Sequence, residues 1–347
     1  AERQLVEAAS PRAYLPIDGL PAYDQAVRVL LFGAQHPAVV AKRVVTVQAL
    51  GGTGGLKIGA DFLRRLAPSA EVWISDPSWE NHRALFESAG FTVNTYPYYD
   101  PATRGLDLEA MLRALGAMPE GAIVVLHACC HNPTGVDLTV DQWSAVREAV
   151  IARGLVPFLD LAYQGFADGI DADAAAVRAF AATTQPIFVA SSFSKSFSLY
   201  GERVGALSIV AANADEAART LSQLKRVVRT NYSNPPTHGG RIVATVLDSP
   251  ELHGLWEEEL GQMRSRIRAM REQLVALLQA RVPGRDYGFV TRQRGIFSYS
   301  GLSKAQVDRL REQYAIYAID SGRICVAALN TRNLAYVADA IAAVAAS

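Results

Sequence analysis

Short apolar segments alternate with amphipathic segments through the first 210 residues of the chain. The apolar segments are too short for helices and are bounded by turn residues, which predicts strands, and the segments between them have helical periodicity. Strands that are apolar on both faces and separated by helices are typical of a largely parallel sheet covered on both sides. The predicted strands are residues 43–50, 71–75, 91–97, 122–127, 156–161, 186–192 and 205–210, and the predicted helices are residues 55–66, 79–90, 139–153 and 172–182.

This pattern predicts a doubly wound α/β domain followed by a smaller one. In such a domain, ligands bind at the carboxyl ends of the parallel strands. After about residue 212 the chain changes to long helices, one of which is predicted at residues 251–280 from apolar residues at helical spacing. A short β segment at residues 295–302 and an alanine-rich C-terminal helix follow. We therefore predict a large domain over residues 1–262 and a small α+β domain over residues 263–347.

Composition and charge exclude several classes of protein. Lys plus Arg and Asp plus Glu are 34 each, so the formal charge is zero and nothing favours nucleic acid or an anionic membrane as a partner. Three cysteines make no disulfide framework, and no apolar run is long enough to span a membrane, so we expect a cytoplasmic protein. The N-terminal segment AERQLVEAASPRAYLP lacks an initiator Met and the apolar core of a signal peptide, so we expect the chain to start part-way into a longer protein.

Five of the predicted strands end in residues that carry different chemical groups. Because the carboxyl ends of parallel strands lie along one edge of a sheet, we expect these groups to meet there. Taken singly, each has an ordinary explanation: GGTGG is a tight turn into a helix, Trp79 is a core residue and Asp160 is a helix cap. The residues are Gly52 and Thr53 after the first strand, Trp79 after the second, Asn132 after the fourth, Asp160 and Tyr163 at the fifth, and Ser192, Ser194 and Lys195 at the sixth.

Lys195 is conspicuous because lysine is rare in this chain. Only five of the 34 basic residues are lysines, and this one follows the apolar segment PIFVASS within SSFSKSFSLYGERVG. The neighbouring Phe193 and Phe197 predict partial burial. A buried ammonium loses its proton readily, and the neutral amine is the nucleophile that forms a Schiff base with an aldehyde. A surface lysine is the ordinary alternative.

The segment HACCH at residues 127–131 suggests a metal site as an alternative. Cys129 and Cys130 are adjacent, and on the predicted strand their side chains would point to opposite faces of the sheet. No second pair of ligands stands at zinc spacing. The sequence therefore predicts no metal site.

A single ligand accounts for the groups at the sheet edge, and that ligand is pyridoxal 5′-phosphate. Unpaired N–H groups at a glycine-rich helix start suit its phosphate, an acid suits its ring nitrogen, and an amine suits its aldehyde. The predicted contacts are Gly52, Thr53, Ser192 and Arg203 to the phosphate, Trp79 to the ring, Asp160 to the ring nitrogen, Asn132 and Tyr163 to the phenolic oxygen, and Lys195 to the aldehyde.

The chain resembles the class I aminotransferases, in the aspartate and aromatic subfamily of the fold-type I pyridoxal phosphate enzymes. The resemblance covers essentially the whole chain. It implies ping-pong transamination between amino acids and 2-oxo acids, and a homodimer with shared active sites. The motifs that carry it, in the family's order, are YLPIDG, GGTG, PSWENH, HNPTG, DLAYQGF, SFSKSFSLYGERVG, VRTNYSNPP, GIFSYSGL and SGRICVA.

The resemblance also implies a role for each site residue. Lys195 would bond the cofactor, and Asp160, backed by His82, would hold the ring nitrogen. Arg323 would bind the substrate α-carboxylate, and Arg229 of the partner subunit would face the substrate side chain. The other implied contacts are Gly52, Thr53, Ser192, Ser194 and Arg203 around the phosphate with Tyr14 of the partner subunit, Asn132 and Tyr163 at the phenolic oxygen, and Trp79 against the ring, with Trp79 and Asn132 also near the substrate.

The resemblance favours the aromatic branch, because Gly201 and Cys325 replace asparagines that are commoner in the aspartate branch. Tyr and Phe, together with Asp and Glu, are then the expected donors and 2-oxoglutarate the acceptor. The alternatives are a strict aspartate aminotransferase, another reaction of the same cofactor, and a non-catalytic binding module. A nucleotide-binding dehydrogenase lacks its fingerprint glycines. Two features depart from the family's pattern: its N-terminal segment is absent, and Ala328 stands where relatives usually have Gly.

Overall fold

The computed structural model describes residues 1–11 and 13–346. Its strands are β1 (Val44–Leu50), β2 (Val72–Asp76), β3 (Val93–Pro97), β4 (Tyr99–Asp100), β5 (Gly105–Leu106), β6 (Ile123–His127), β7 (Val156–Leu161), β8 (Ile187–Ser192), β9 (Val204–Val210), β10 (Phe297–Tyr299) and β11 (Arg323–Cys325). Its helices are α1 (Glu2–Glu7), α2 (Pro21–Phe32), α3 (Pro37–Val40), α4 (Gly51–Leu66), α5 (Glu80–Ser88), α6 (Leu108–Ala117), α7 (Val140–Ala152), α8 (Ile170–Asp173), α9 (Ala175–Ala181), α10 (Ala214–Asn231), α11 (His238–Asp248), α12 (Pro250–Arg281), α13 (Phe289–Arg292), α14 (Lys304–Tyr314) and α15 (Leu334–Ala345).

Seven strands form one sheet in the order β1-β9-β8-β7-β6-β2-β3. Within the described part of the chain, β9 is the one strand of this sheet that runs antiparallel to its neighbours. The prediction of a largely parallel sheet is therefore confirmed. The carboxyl ends of β1, β2, β6, β7 and β8 consequently lie along the same edge.

Both faces of the sheet are buried, because its strands are apolar at successive positions. In β6, Ile123 and Val125 belong to the core on one face, and Val124 and Leu126 belong to the core on the other. Successive side chains of a strand point to opposite faces, so such a strand has to be covered on both sides. Helices α4, α5 and α10 cover one face, and α2, α6, α7 and α9 contribute to the core on the other.

Helix α4 packs close to the sheet because two of its glycines face it. A Cβ atom on Gly55 would lie 2.7 Å from the carbonyl oxygen of Ala206, and one on Gly59 would lie 2.5 Å from Cζ of Phe158. The helix begins at Gly51, earlier than the predicted start at residue 55. The glycine-rich segment is therefore the first turn of the helix, and its N–H groups, which have no intrahelical partner, lie at the carboxyl edge of the sheet.

Helix α12 belongs to both parts of the chain. The helix predicted at residues 251–280 is confirmed at Pro250–Arg281. In its first half Leu260 lies against Gly165, in the loop after β7, and Arg281 at its end donates to Asp339 of α15. The helix runs unbroken through residue 262, so the domain boundary there stays a prediction.

The helix predicted at residues 172–182 is divided into two, α8 and α9. The carboxylate of Asp173 in α8 accepts hydrogen bonds from the backbone N–H groups of Gly165 at 2.7 Å, Ala167 at 3.0 Å and Asp168 at 2.9 Å. These bonds tie α8 to the loop that follows β7. Over the described residues, no helix combines the length and the apolar character needed to cross a membrane.

We predict that Gly55→Ala destabilises the protein, because the added methyl group would collide with the backbone of Ala206, which cannot move aside. Overpacking a well-packed interior costs about 1–3 kcal/mol in the free energy of unfolding. The control is Gly116→Ala in α6, where the added Cβ meets no atom within 4 Å and helix propensity should improve. Thermal unfolding midpoints measure both changes. A Gly55→Ala midpoint at or above that of the wild type would contradict the close packing of α4.

Candidate active site

A cleft opens at the carboxyl edge of the sheet. Residues from the ends of five strands line it, so the groups expected at this edge do lie together. The lining residues are Gly52, Thr53, Leu56, Trp79, His127, Asn132, Asp160, Ala162, Tyr163, Ser192, Ser194, Lys195, Tyr200 and Arg203.

Asp160, near the end of β7, is a buried carboxylate held by a histidine. Its Oδ2 lies 2.9 Å from Nε2 of His82, and Nδ1 of His82 lies 2.9 Å from the hydroxyl of Ser78. Burial by itself would raise the pKa of Asp160, but the hydrogen bond and charge of His82, with a smaller contribution from Lys195, hold that pKa below its usual value. Asp160 is therefore a stable anion in the cleft.

Lys195 is partly buried, and its pKa is lowered. Burial is the main cause; the positive charge of Arg203 acts in the same direction, whereas the charge of Asp160 opposes it. The Nζ atom lies 5.0 Å from the centroid of the Tyr163 ring. The pKa of the Tyr163 hydroxyl is raised, first by burial and then by the charge of Asp160. A larger fraction of Lys195 is thus a neutral amine at a given pH, which suits a nucleophile or a base.

The first turn of α4 and Arg203 form a positively polarised corner of the cleft. A Cβ atom on Gly51 would lie 2.7 Å from Nη2 of Arg203, and one on Gly52 would lie 3.1 Å from Cβ of Ser192, so the two glycines leave room for these side chains. Arg203 also donates to the hydroxyl of Ser194 at 3.4 Å. Free N–H groups at a helix start, with a guanidinium beside them, form a site for a phosphate.

Arg323 reaches towards the cleft from β11, in the second part of the chain. Its Nη1 donates to Oδ1 of Asn132 at 2.7 Å, and its guanidinium carbon lies 4.5 Å from the centroid of the Phe297 ring. Asn132 follows β6, so this hydrogen bond joins the two parts of the chain. A guanidinium held by an amide and a ring face is pre-organised to bind a carboxylate with its remaining N–H groups.

Four predicted site residues do not line the cleft: His82 and Arg323 are hydrogen-bonded to its lining residues Asp160 and Asn132, whereas Tyr14 and Arg229 are exposed. Tyr14 has 92% of its surface exposed. Arg229, in the last turn of α10, is also exposed and donates to the hydroxyl of Ser233 at 2.6 Å. The predicted position of both in the partner's site stays a prediction.

Sequence reasoning missed a histidine of the lining. His127 is buried, and its Nε2 has no hydrogen-bond partner within the described residues. Its ring centroid lies 4.9 Å from that of His82 and 4.4 Å from that of His131, and burial, followed by the charge of His82, lowers the pKa of His127 to about 3. Because His127 is the last residue of β6, the rule that strands end at the site would have found it. The other lining residues that were missed are Leu56, Ala162 and Tyr200.

The prediction that Cys129 and Cys130 lie on a strand with their side chains on opposite faces is wrong. Strand β6 ends at His127, and Cys130 has a φ of 51°, so the chain turns at this point. The two sulfur atoms and a carboxylate oxygen of Asp173 lie within 4.8 Å of one another. The pKa of the Cys129 thiol is raised by its hydrogen bond with Cys130 and by burial, and burial raises the pKa of Cys130 to about 11. Both thiols are therefore protonated at neutral pH.

Comparison with known proteins identifies the family. The family model for aminotransferase class I and II matches residues 1–341. The chain belongs to the class I and II aminotransferases. This membership confirms the resemblance inferred from the sequence motifs and the fold predicted with it.

Relatives of this aminotransferase carry two different names. It is 62% identical to a Pseudomonas aeruginosa protein named aspartate aminotransferase, over 98% of this chain and 86% of the relative. It is 55% identical to an Escherichia coli aromatic-amino-acid aminotransferase, over 95% of this chain and 83% of the relative. A solved aromatic-amino-acid aminotransferase from Burkholderia pseudomallei, covalently bound to pyridoxal phosphate, has a TM-score of 0.97 and 68% identity, over 99% of this chain and 86% of that one.

We predict that His127 weakens the stability of this aminotransferase as the pH falls below about 6.5, the ordinary pKa of histidine. The buried ring stays neutral in the folded state, where its pKa is about 3. In the unfolded state the ring is protonated below about 6.5, so the unfolded state binds more protons between the two values. This one group therefore lowers the free energy of unfolding by about 1.4 kcal/mol for each pH unit of acidification.

The measurement is the unfolding midpoint between pH 4 and pH 6 in the wild type and in His127→Gln. The substitution should remove the contribution of His127 and flatten the pH dependence by that amount. His238→Gln, at an exposed histidine, is the matched control and should keep the wild-type slope. Parallel curves for wild type and His127→Gln would show that His127 is not held neutral.

Proposed function

We propose that the protein is a pyridoxal 5′-phosphate-dependent aminotransferase, which exchanges the amino group of tyrosine or phenylalanine, and of aspartate or glutamate, with 2-oxoglutarate by a ping-pong mechanism. The observation that carries this proposal is the presence of a charged carboxylate, Asp160, and an amine of lowered pKa, Lys195, in one cleft. A pyridine ring nitrogen needs the first group and an aldehyde needs the second.

The cleft fits this cofactor. Gly51 and Gly52 clear the space beside Arg203 and Ser192 that a phosphate needs, and the anionic Asp160 suits a protonated ring nitrogen. When bound, the cofactor supplies an aldehyde and an electron-accepting ring. The residues proposed to hold it are Gly52, Thr53, Ser192, Ser194 and Arg203 at the phosphate, Trp79 at the ring, Asp160 with His82 at the ring nitrogen, Asn132 and Tyr163 at the phenolic oxygen, Lys195 at the aldehyde, and Tyr14 of the partner subunit.

Two residues hold and move protons in this proposal. Asp160, kept anionic by His82, holds a proton on the ring nitrogen to which it bonds. The Nζ atom of Lys195, a neutral amine once free, would take the proton from Cα of the substrate and would pass it to the carbon that was the aldehyde carbon of the cofactor. Tyr163 lies beside Nζ of Lys195 and would orient the phenolic oxygen of the cofactor.

Two arginines recognise the substrate in this proposal. Arg323, held by Asn132, binds the α-carboxylate that every amino acid carries. Arg229 of the partner subunit faces the substrate side chain, and its long stem lets it turn out to water when a ring enters, since burying its charge against the ring would be costly. Trp79 and Asn132 also contact the substrate, and Gly201 and Cys325 favour the aromatic branch.

A strict aspartate aminotransferase is the second candidate. The 62% identity to the Pseudomonas aeruginosa protein of that name favours it. The 68% identity to the Burkholderia pseudomallei aromatic-amino-acid aminotransferase favours the first candidate. Both candidates need the same α-carboxylate contact, so only the recognition of the substrate side chain separates them.

We also propose a homodimer with shared active sites, located in the cytoplasm, in which each chain has a large domain over residues 1–262 and a small one over residues 263–347. The exposure of Tyr14 and Arg229, outside the cleft of their own chain, supports the sharing of sites. The three cysteines are free, which is usual in a reducing compartment.

Borohydride reduction of the cofactor-loaded protein is expected to fix the cofactor on the peptide that contains Lys195. Lys195→Ala should still bind the cofactor and lose proton transfer, whereas Lys57→Ala, at a lysine paired with Asp61 on α4, should keep activity.

Asp160→Asn retains the volume but loses the charge, and should lower kcat on the order of a thousandfold. Labelled cofactor recovered on another lysine, or an Asn variant within about tenfold of wild type, would overturn these roles.

Substitution of the two arginines should give unequal losses. Arg229→Leu is expected to lower kcat/KM for aspartate and glutamate on the order of a hundredfold, and that for phenylalanine and tyrosine far less, because only the first pair loses a charged partner. Arg323→Leu should damage all four substrates alike. The rates of the half-reactions with the four amino acids, followed by cofactor absorbance, measure these losses. If wild type reacts with aspartate and shows no half-reaction with phenylalanine or tyrosine, the strict aspartate candidate takes the place of the aromatic one.

Mixing variant chains tests whether Arg229 acts in the partner's site. A heterodimer of Lys195→Ala and Arg229→Leu chains should contain one site with both residues intact, and so recover aspartate activity. No recovery, despite proven exchange of subunits, would place Arg229 in the pocket of its own chain or outside any pocket.

A further inference from the structure

The turn that carries Lys195 is held from outside by a tryptophan of helix α12. The indole Nε1–H of Trp256 donates to the carbonyl oxygen of Ser196, the residue after Lys195, at 2.7 Å. The same indole stacks on the ring of Phe197, with ring centroids 4.5 Å apart and planes inclined by 27°. One side chain thus contacts the two residues that follow Lys195, across 60 positions of sequence.

The stack continues to the other side of the turn. Phe197 packs edge-on against Phe193 at 5.3 Å, and Phe193 packs edge-on against Tyr23 at 5.7 Å. The hydroxyl of Tyr23 donates to the carbonyl oxygen of Gly205 in β9 at 2.7 Å. The residues on both sides of Lys195 are therefore fixed to the aromatic core, while Lys195 itself lines the cleft.

The turn needs such support because its own backbone is strained. Ser198 has a φ of 54°, in the left-handed region that a non-glycine residue adopts only at a cost. Inside the turn, the backbone bonds run from the N–H of Phe197 to the carbonyl of Phe193 at 3.3 Å, and from the N–H of Ser198 to the carbonyl of Lys195 at 3.1 Å. The bond from Trp256 satisfies the carbonyl of Ser196.

Trp256 is itself anchored. The ring of His253, one turn earlier in α12, lies 5.5 Å from the indole. Farther along the helix, Arg264 donates to the carbonyl oxygen of Gly165 at 2.6 Å, and Leu260 fills the space above the same glycine. Gly165 belongs to the loop after β7, which also carries Tyr163. Helix α12 is therefore fixed to the loop that follows β7, the strand that supplies Asp160.

We propose that Trp256 is a positioning residue for Lys195, which holds the lysine-bearing turn through the hydrogen bond to Ser196 and the stack on Phe197. The proposal rests on the proposed function for its effect on catalysis. The backbone of the turn sets the position and direction from which the Lys195 side chain starts, so a shift of the turn changes where Nζ can reach. A displacement of about 1 Å at a reacting group costs on the order of a hundredfold in rate.

Two substitutions separate the two contacts. Trp256→Phe keeps an aromatic ring over Phe197 and removes the N–H donor, and Trp256→Leu removes both. The matched controls are Trp143→Phe and Trp143→Leu in α7, where the tryptophan packs edge-on against Phe180 at 6.3 Å, away from the cleft. The control variants lose packing in the large core without touching the Lys195 turn.

The first readout needs no cofactor. The cofactor-free proteins are acylated with acetic anhydride over a range of pH, and mass spectrometry of the Lys195 peptide yields the pKa of its amine. In the Trp256 variants the loosened turn admits water, so this pKa should rise towards the ordinary lysine value of about 10.4, more for Leu than for Phe. The Trp143 variants should lower the thermal midpoint and leave the pKa of Lys195 unchanged.

The second readout is turnover. We expect kcat to fall about tenfold in Trp256→Phe and on the order of a hundredfold in Trp256→Leu, while KM changes by less than about twofold for every donor. The Trp143 variants should retain kcat. An unchanged Lys195 pKa in folded Trp256 variants overturns the proposal; if Trp256→Leu does not fold, Trp256→Phe decides. A raised pKa in the variants of a protein that shows no transamination would support positioning and refute the proposed function instead.

Discussion

The hydrogen bond between His82 and Asp160 is the constraint on which the site depends. A charged carboxylate in a buried position is costly unless a partner stabilises it, and His82 provides that partner at 2.9 Å. Asp160 comes from β7, whereas His82 comes from α5, which follows β2, and β6 lies between these strands in the sheet. The pair forms because the observed strand order places α5 beside the end of β7. The stabilised charge of Asp160 therefore depends on the topology of the sheet.

Helix α12 imposes a second constraint, because both parts of the chain are attached to it. Trp256 near its start holds the turn of Lys195, and Arg271 near its end donates to the backbone carbonyls of Gly295 and Phe297, next to and within β10. The ring of Phe297 lies under Arg323. The amine that is proposed to react and the guanidinium that is proposed to bind substrate are therefore held by one continuous helix, which limits how far they can move apart.

Close packing of α4 has a consequence for the anion corner. Gly55 and Gly59 let the helix lie on the sheet without intervening side chains, and this brings its first turn level with the ends of β1 and β8. Gly51 and Gly52 then leave room for Arg203 and Ser192. The same run of glycines thus serves packing at one end, where a Cβ atom would collide with the sheet, and ligand space at the other, where it would fill the room beside Arg203 and Ser192.

Sequence alone determined the features that depend on local pattern. Apolar runs of strand length indicated the sheet, and residues next to the strand ends, such as Lys195 and Asp160, were found because a parallel sheet aligns those ends. Motifs indicated His82 only through a family resemblance. Tertiary structure alone decided how the side chains of Cys129 and Cys130 are arranged. The positive φ of Cys130 depends on its surroundings, and residue propensities do not predict it.

Two further features were decided only by the tertiary structure: the start of α4 and the contact of Trp256 with the Lys195 turn. The start of α4 depends on a close approach of the helix to its neighbours, which the missing side chains of glycines allow. The contact of Trp256 joins residues that are 60 positions apart in the sequence. Periodicity reports which face of an element is apolar, but it does not report which neighbour covers that face. Contacts between distant elements follow from how the whole core packs, so only the folded chain contains them.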